Sequence, residues 1–126
     1  MAIPVYVFTG FLDSGKTRFM QGTLEDDRFN AGEKTLLLVC EEGEEEYDPS
    51  AFAAPNVYIE TIEDQDALDD KMLEALRKKH HAERVCVELN GMKLVSDFYA
   101  AMPKNWVVYQ EIMFADATTF VMYNNN

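Results

Sequence analysis

The sequence has 126 residues and a formal net charge of −12 at pH 7, from 23 acidic and 11 basic side chains. This length predicts a single domain, residues 1–126, and the charge disfavours nucleic acid or an anionic membrane as a partner, because their phosphates would be repelled. Two cysteines in apolar runs argue against a disulfide framework, and no basic leader or membrane-length apolar run is present, so we expect a cytoplasmic protein.

Apolar runs typical of β-strands alternate with helix-like segments, which predicts an α/β fold with a mostly parallel β-sheet flanked by helices. In chain order we predict a strand at Ile3 to Thr9, a helix from Gly15 or Lys16 towards Leu24, strands at Thr35 to Cys40 and Val57 to Ile62, a helix at about Gln65 to His80, a strand at Arg84 to Glu88, a helix through Leu94 to Met102, and a strand at Trp106 to Ala115. After the last strand, Thr118 is interpreted as the N-cap of a short final helix.

The segment after the first strand matches the phosphate-loop pattern G-x-x-x-x-G-K-T, formed by Gly10, Gly15, Lys16 and Thr17. Glycines allow successive backbone N–H groups to point into one concavity, and the following helix presents its positive N-terminus to the same anion. In such a loop the lysine reaches the β- and γ-phosphates and the threonine hydroxyl is a Mg²⁺ ligand. The alternative is a glycine-containing turn without a ligand.

A second element is the run VCVELNG, in which Glu88 ends an apolar strand and Gly91 follows three residues later. An acid at the carboxyl end of a buried strand can hold Mg²⁺ or its water, and the glycine lets a backbone N–H approach the γ-phosphate. Many strands end in an acid for solvation alone, but the phosphate-loop pattern favours the functional interpretation. We predict Lys16 and Glu88 as catalytic residues. The predicted nucleotide-binding residues are Gly10, Asp13, Ser14, Gly15, Lys16, Thr17, Arg18 and Gly91.

The acidic segment from Glu41 to Asp48 follows the second strand and allows two interpretations. It is either a solvated surface loop or, because ligands bind at the carboxyl edge of open α/β sheets, a source of ligands for a metal or an attacking water. The predicted metal ligands are Thr17, Glu41, Asp48 and Glu88. Among the cations that end the long helix, His80 and His81 are interpreted as complementing its exposed carbonyl groups, with a metal site as the alternative.

These quoted blocks together resemble the CobW-like P-loop GTPases. IPVYVFTGFLDSGKT resembles the opening of that family, CEEGEEEYD resembles its NEFGEVGID, VCVELNG its strand into ETTG, and FADATTF its VVDA turn, with matches at Asp116 and Ala117. The resemblance implies a P-loop NTPase fold, of the Rossmann-like three-layer type, that binds GTP and Mg²⁺. It also implies slow Mg²⁺-dependent GTP hydrolysis linked to metal-ion delivery or cofactor assembly.

By the same resemblance, Gly10 to Thr17 bind the nucleotide phosphates, and Glu41, Asp48, Glu88 and Gly91 line the γ-phosphate and Mg²⁺ side. Zn²⁺ or another transition metal is implied as cargo and a metalloprotein client as partner, and a homodimer is left open. The family's Cys-x-Cys-Cys metal motif and its guanine-reading Asn/Thr-Lys-x-Asp motif have no counterpart in this sequence. We therefore expect a domain truncated at its C-terminus, an N-terminal piece of a longer protein.

Two other functions are compatible with the same motifs. One is a small-molecule ATP-dependent P-loop kinase, although the four arginines are not clustered as an arginine-rich lid would require. The other is a non-catalytic regulatory or interaction domain that retains the phosphate loop and binds a partner through its acidic surface. The choice between GTP and ATP is left open at this point, because the base-reading motif is absent.

Overall fold

The computed structural model describes residues 2–10, 16–39, 47–62, 68–90, 92–115 and 118–122. Within these ranges the elements are β1 (Ile3–Gly10), α1 (Lys16–Glu25), β2 (Thr35–Val39), a 3-10 helix (Pro49–Ala51), β3 (Val57–Thr61), α2 (Asp70–His80), β4 (Arg84–Asn90), α3 (Met92–Ala101), β5 (Trp106–Ala115) and β6 (Thr118–Met122). The predicted α/β class, with a mostly parallel sheet flanked by helices, is confirmed.

The strands form one sheet in the order β3-β2-β4-β1-β5-β6. Strands β1 to β5 all run parallel to one another, and β6 runs antiparallel to β5. The strand that leads into the phosphate-loop pattern, β1, is therefore central and lies beside β4. Their register pairs Gly10 with Asn90 and Phe8 with Glu88, so the carboxyl ends of these two strands lie next to each other.

Two apolar layers pack on opposite faces of the sheet, because successive strand side chains alternate between the faces. Helix α1 covers one face with Met20 and Leu24, which pack against Phe8, Leu37, Cys86 and Ile112. Helices α2 and α3 cover the other face, on which Leu73, Leu94, Val95 and Phe98 pack against Ile3, Val5, Val7, Leu36, Leu38, Val85 and Val87. The result is a helix, sheet, helix arrangement of three layers.

The expected final helix at Thr118 is wrong, because residues 118–122 form strand β6. Thr118 pairs with Ala115 and Val121 pairs with Ile112 in an antiparallel ladder. Threonine, phenylalanine and valine favour a pleated strand over a helix, and β5 supplies a full row of hydrogen-bonding partners. A helix of only a few residues would have gained no comparable stabilisation.

Helix α2 begins later than the predicted start at about Gln65. Leu68 and Asp69 precede the helix, while residues 63–67 lie outside the described ranges. The carboxylate of Asp69 accepts a hydrogen bond of 2.7 Å from the backbone N–H of Met72, which makes Asp69 the N-cap and fixes the start at the next residue. The predicted end at His80 is confirmed, and His81 closes the helix in the left-handed conformation, with φ of 54°.

Candidate nucleotide-binding site

The end of β1 has two unusual backbone and side-chain features. Gly10 has φ of 152°, a conformation that side-chain-bearing residues rarely adopt. Immediately before it, Thr9 is buried at 3% exposure, and its hydroxyl has no hydrogen-bond partner in the described part of the chain. Buried hydroxyl groups are normally paired with protein, water or a ligand. A backbone conformation that favours glycine therefore lies at the end of β1, next to a buried hydroxyl that has no partner among the described residues.

Helix α1 begins at Lys16, as the phosphate-loop pattern requires. Lys16 and Thr17 are its first two residues, and Arg18 is exposed in the first turn. That turn contains no acidic residue, so nothing in it opposes an anion at the positive end of the helix. The predicted loop residues Asp13, Ser14 and Gly15 lie outside the described residues, and so do the side chains of Lys16 and Thr17.

Glu88 is buried at 2% exposure near the carboxyl end of β4. In the sheet register it is paired with Phe8 of β1 on one side and with Val39 of β2 on the other. A carboxylate between apolar neighbours needs a hydrogen-bond donor, because leaving it unpaired away from water is costly. The hydroxyl of Tyr47 donates such a bond to Oε2 of Glu88. The side chain of Tyr47 also packs against the apolar layer under α1.

Asp48 is exposed and caps the short 3-10 helix that follows it. Its carboxylate accepts hydrogen bonds from the backbone N–H of Ser50 at 3.2 Å and from the Ser50 hydroxyl at 2.5 Å. Its backbone is bound by Gln21 of α1: the side-chain amide donates to the Asp48 carbonyl at 2.9 Å, and the amide oxygen accepts from the Asp48 N–H at 2.9 Å. The predicted metal ligand therefore has a local capping role, and its role toward a metal stays a prediction.

Two further predicted site residues, Glu41 and Gly91, lie outside the described residues, as do Asp116 and Ala117. The structure brings together the end of β1, the start of α1, Glu88 on the neighbouring strand, and the segment at Tyr47 and Asp48. It gives no position for the loop between β1 and α1 or for the acidic run before Tyr47. These roles remain predictions from the sequence.

His80, at the end of α2, lies in a charged cluster beside β3, whereas His81 caps the helix. Nε2 of His80 lies 2.6 Å from Oε2 of Glu60, Lys79 donates to the same oxygen at 2.9 Å, and the His80 ring stacks on Tyr58 at 4.8 Å. The hydrogen bonds from His80 and Lys79 lower the pKa of Glu60. Among the described residues, no group of three or more His, Cys, Asp or Glu side chains is arranged to hold a metal ion.

Cys86 lies in the core under α1 and is not a ligand at the surface. It is fully buried as a free thiol, and burial raises its pKa to about 12. A thiol with so little thiolate character is a poor nucleophile and a poor metal ligand. Cys86 is therefore a core thiol, whereas Cys40 lies outside the described residues.

A second concavity, of about 540 Å³, lies between α2 and the turn before β5. Its lining residues are Asp70, Lys71, Glu74, Ala75, Lys78, Pro103 and Lys104. None of the predicted site residues lines it, and its charges are of both signs. The candidate site is therefore the carboxyl edge of β1 and β4, not this concavity.

Sequence reasoning did not single out two residues of this site, Tyr47 and Gln21. Tyr47 is the one phenol within the acidic run before Asp48, and a phenol among carboxylates is a hydrogen-bond donor among acceptors. This composition indicates that Tyr47 donates a hydrogen bond to a carboxylate, but the sequence alone does not show which one. Gln21 carried no signal beyond its position in a polar stretch of α1.

Comparison with models of known protein families, with curated proteins and with solved structures finds no match to this chain. In the described ranges, none of the helices has the length and apolar character needed to cross a membrane.

Proposed function

We propose that this chain is a GTP-binding domain of the CobW-like type, with Mg²⁺-dependent GTP hydrolysis as the activity of the complete site. The observation that carries the proposal is the geometry on either side of the phosphate-loop pattern. A central parallel strand ends at Gly10 with positive φ, and a ten-residue helix without an acid in its first turn begins at Lys16. A phosphate-binding loop needs this strand, glycine turn and helix in this order.

The donor chemistry of the neighbouring strand fits Mg²⁺. Mg²⁺ prefers oxygen ligands and is usually bound by one or two carboxylates together with phosphate oxygens and water. Glu88 offers a buried carboxylate on the strand next to β1, on the face of the sheet that α1 covers. In the proposal Thr17 and Glu88 would hold the ion, and Glu41 and Asp48 would supply further oxygen ligands. When bound, Mg²⁺ would neutralise charge on the phosphate oxygens.

The reaction itself is proposed as phosphoryl transfer to water. Water attacks the γ-phosphorus, and the bond from that phosphorus to the bridging β-γ oxygen breaks, so that the products are GDP and inorganic phosphate. The ammonium group of Lys16 would neutralise charge on the β- and γ-phosphates, and the Gly91 N–H would support the γ-phosphate. The sequence offers no convincing general base, which agrees with a slow hydrolysis rate.

The same proposal includes a link to metal delivery, a metalloprotein client and a cytoplasmic location. It leaves open whether the protein is a homodimer. Metal delivery and the client are supported by the resemblance alone, with Zn²⁺ or another transition metal as the cargo, and the cytoplasmic location is supported by the two cysteines in apolar runs. Nucleotide binding is therefore the part to test first, because the other parts depend on it.

The test is a titration of the chain with fluorescent GTP and ATP analogues, with and without Mg²⁺. We expect the GTP analogue to bind with Kd below about 1 mM, which corresponds to about −4 kcal/mol, and Lys16→Ala to abolish that binding. Lys34→Ala is the matched control, since Lys34 is an exposed lysine outside the site and its loss should leave binding unchanged.

The remaining outcomes separate the alternatives. Preference for the ATP analogue, with turnover only when a small hydroxyl-bearing acceptor is added, would favour the kinase. Failure of both analogues to bind below about 1 mM would leave the non-catalytic interaction domain and would make the proposed function wrong. Equal loss of binding in the Lys16→Ala and Lys34→Ala variants would show that the phosphate loop is not the site.

A further inference from the structure

Tyr47 reaches Glu88 from outside the central strands. The two residues are 41 positions apart in the sequence, and the phenol hydroxyl donates to the carboxylate oxygen Oε2. Glu88 is 2% exposed and has Phe8 and Val39 as its neighbours in the sheet register. A donor at a carboxylate oxygen restricts the orientation of the group, as outer hydrogen bonds do for metal-binding carboxylates.

The residue after Tyr47 connects this contact to the helix that begins at the phosphate loop. Gln21 holds the Asp48 backbone through two hydrogen bonds of 2.9 Å, and Gln21 lies one helical turn after Thr17. Further along, the N–H of Ala53 donates to the carbonyl of Leu24 in α1 at 3.1 Å. The segment of residues 47–53 is thus bound to α1 at two points, while Tyr47 is bound to Glu88.

We propose that Tyr47 is a positioning residue for the metal side of the site, and the proposal rests on the proposed function. The Tyr47 hydroxyl holds the Glu88 carboxylate in the orientation that meets Mg²⁺, and the bonds between Asp48 and Gln21 join that contact to α1. Metal binding at Glu88 and nucleotide binding at the start of α1 are coupled through this path. Without the hydroxyl, Mg²⁺ would bind more weakly although every proposed ligand is still present.

The experiment measures the Mg²⁺ concentration that gives half of the Mg²⁺-dependent rise in binding of mant-GTP, a fluorescent GTP analogue. Affinity for mant-GTP in EDTA is measured separately, because a general loss of structure would lower both quantities. The variants are Tyr47→Phe, Glu88→Gln and the double variant. Tyr6→Phe is the matched control, since Tyr6 packs in the same apolar layer and also loses only a hydroxyl.

We expect Tyr47→Phe to raise the Mg²⁺ midpoint about tenfold, the usual effect of removing a hydrogen bond that orients a metal ligand. Its affinity for mant-GTP in EDTA should stay within about twofold of that of the unmodified chain, because ordinary surface substitutions change free energies by no more than that factor implies. The double variant should be no worse than Glu88→Gln, because Tyr47 acts through that carboxylate. Tyr6→Phe should leave the midpoint unchanged.

The inference is overturned by an unchanged midpoint in Tyr47→Phe, by effects of Tyr47→Phe and Glu88→Gln that multiply, or by an equal loss of affinity in EDTA. If Tyr47→Phe does not fold, Gln21→Met tests the same path from α1: a raised midpoint supports the coupling and an unchanged one overturns it. Absence of mant-GTP binding by the unmodified chain overturns the proposed function and this inference together. Binding by the unmodified chain, with an effect of Glu88→Gln but none of Tyr47→Phe, overturns the inference alone.

Discussion

Gln21 and the backbone of Asp48 form a reciprocal pair of hydrogen bonds. The Gln21 amide donates to the Asp48 carbonyl and accepts from the Asp48 N–H, both at 2.9 Å. One side chain thus satisfies both polar backbone groups of a residue that lies outside any strand. This contact joins the start of the segment of residues 47–53 to helix α1.

Substitution of Gln21 by methionine should release that segment without disturbing the helix. Methionine has similar length and helix propensity but offers neither the donor nor the acceptor. We expect a loss of about 1 kcal/mol in unfolding free energy and faster amide hydrogen exchange at Asp48. Exchange within β1 and β4 should be unchanged. Unaltered exchange at Asp48 would show that the pair contributes nothing to the order of the segment.

The two glycines at positions 10 and 22 should respond in opposite ways to alanine. Gly10 has φ of 152°, so Gly10→Ala should cost about 1–3 kcal/mol in stability and weaken nucleotide binding. Gly22 lies exposed in α1 with open space where a Cβ would go, so Gly22→Ala should stabilise the chain by about 0.5–1 kcal/mol. Thermal and urea unfolding measure both changes. Two losses of similar size would contradict the assignment of strain to Gly10.

The guanidinium of Arg84 is buried at the start of β4, and a lysine should not replace it. Arg84 donates through Nε to the Thr35 hydroxyl at 2.7 Å and through Nη1 to the Phe29 carbonyl at 2.8 Å, and it stacks 4.1 Å above the Phe29 ring. Lysine keeps the charge but loses the planar fork and the stacking. We expect Arg84→Lys to cost about 2–4 kcal/mol in unfolding free energy.

The exposed residue Arg28 is the matched control for that substitution. Its side chain is 87% exposed and pairs with Asp26 at the surface, so Arg28→Lys should leave the urea midpoint of unfolding almost unchanged. Urea unfolding at pH 7 compares the two variants. Equal effects would mean that the burial of Arg84 does not determine its contribution.

The cluster of Glu60, Lys79 and His80 predicts a pH dependence of stability. The folded-state pKa of Glu60 is lowered from 4.5, first by the hydrogen bond from His80 and then by that from Lys79. A carboxyl group with a lowered pKa contributes stability above its unfolded pKa and loses it as the pH falls through its folded pKa. This contribution should therefore be present above about pH 4.5 and lost below that value.

Glu60→Gln should remove that part of the acid dependence. We expect Glu60→Gln to lower the free energy of unfolding by at most about 1 kcal/mol at pH 6, because the Lys79 side chain is exposed and water screens the pair. At pH 3 the variant and the unmodified chain should differ less, because protonation of Glu60 removes the same interaction. Asp27→Asn is the control, since Asp27 is an exposed acid after α1 and lies outside this cluster. A difference that stays the same from pH 6 to pH 3 would assign the effect to packing.

The strands were predictable because parallel strands buried on both faces leave continuous apolar runs such as TLLLV. The helix predicted at about Gln65 to His80 is recognisable from its apolar face, but its start is not, because Asp64, Asp66 and Asp69 are all possible N-caps in the sequence and only the capping geometry selects Asp69. Strand β6 was missed because Thr118 is both a good N-cap and a good strand residue. Pairing with β5, which decides between them, is a tertiary effect.

In the candidate site, residues adjacent in sequence were more predictable than contacts between distant segments. The positions of Gly10 and Lys16 at the ends of β1 and α1 follow from the spacing of one motif. The contact between Tyr47 and Glu88 depends on the register of β4 against β1 and on the path of a segment far away in the chain. No local pattern carries that information.

The position of Glu88 between Phe8 and Val39 has a consequence for the response to salt. Mobile ions screen exposed charges strongly but screen buried charges much less, because they cannot approach them. The exposed pair of Asp26 and Arg28 should weaken steadily as salt is added. The bond from Tyr47 to the buried carboxylate should persist, so this side of the site keeps its geometry over a wide range of ionic strength.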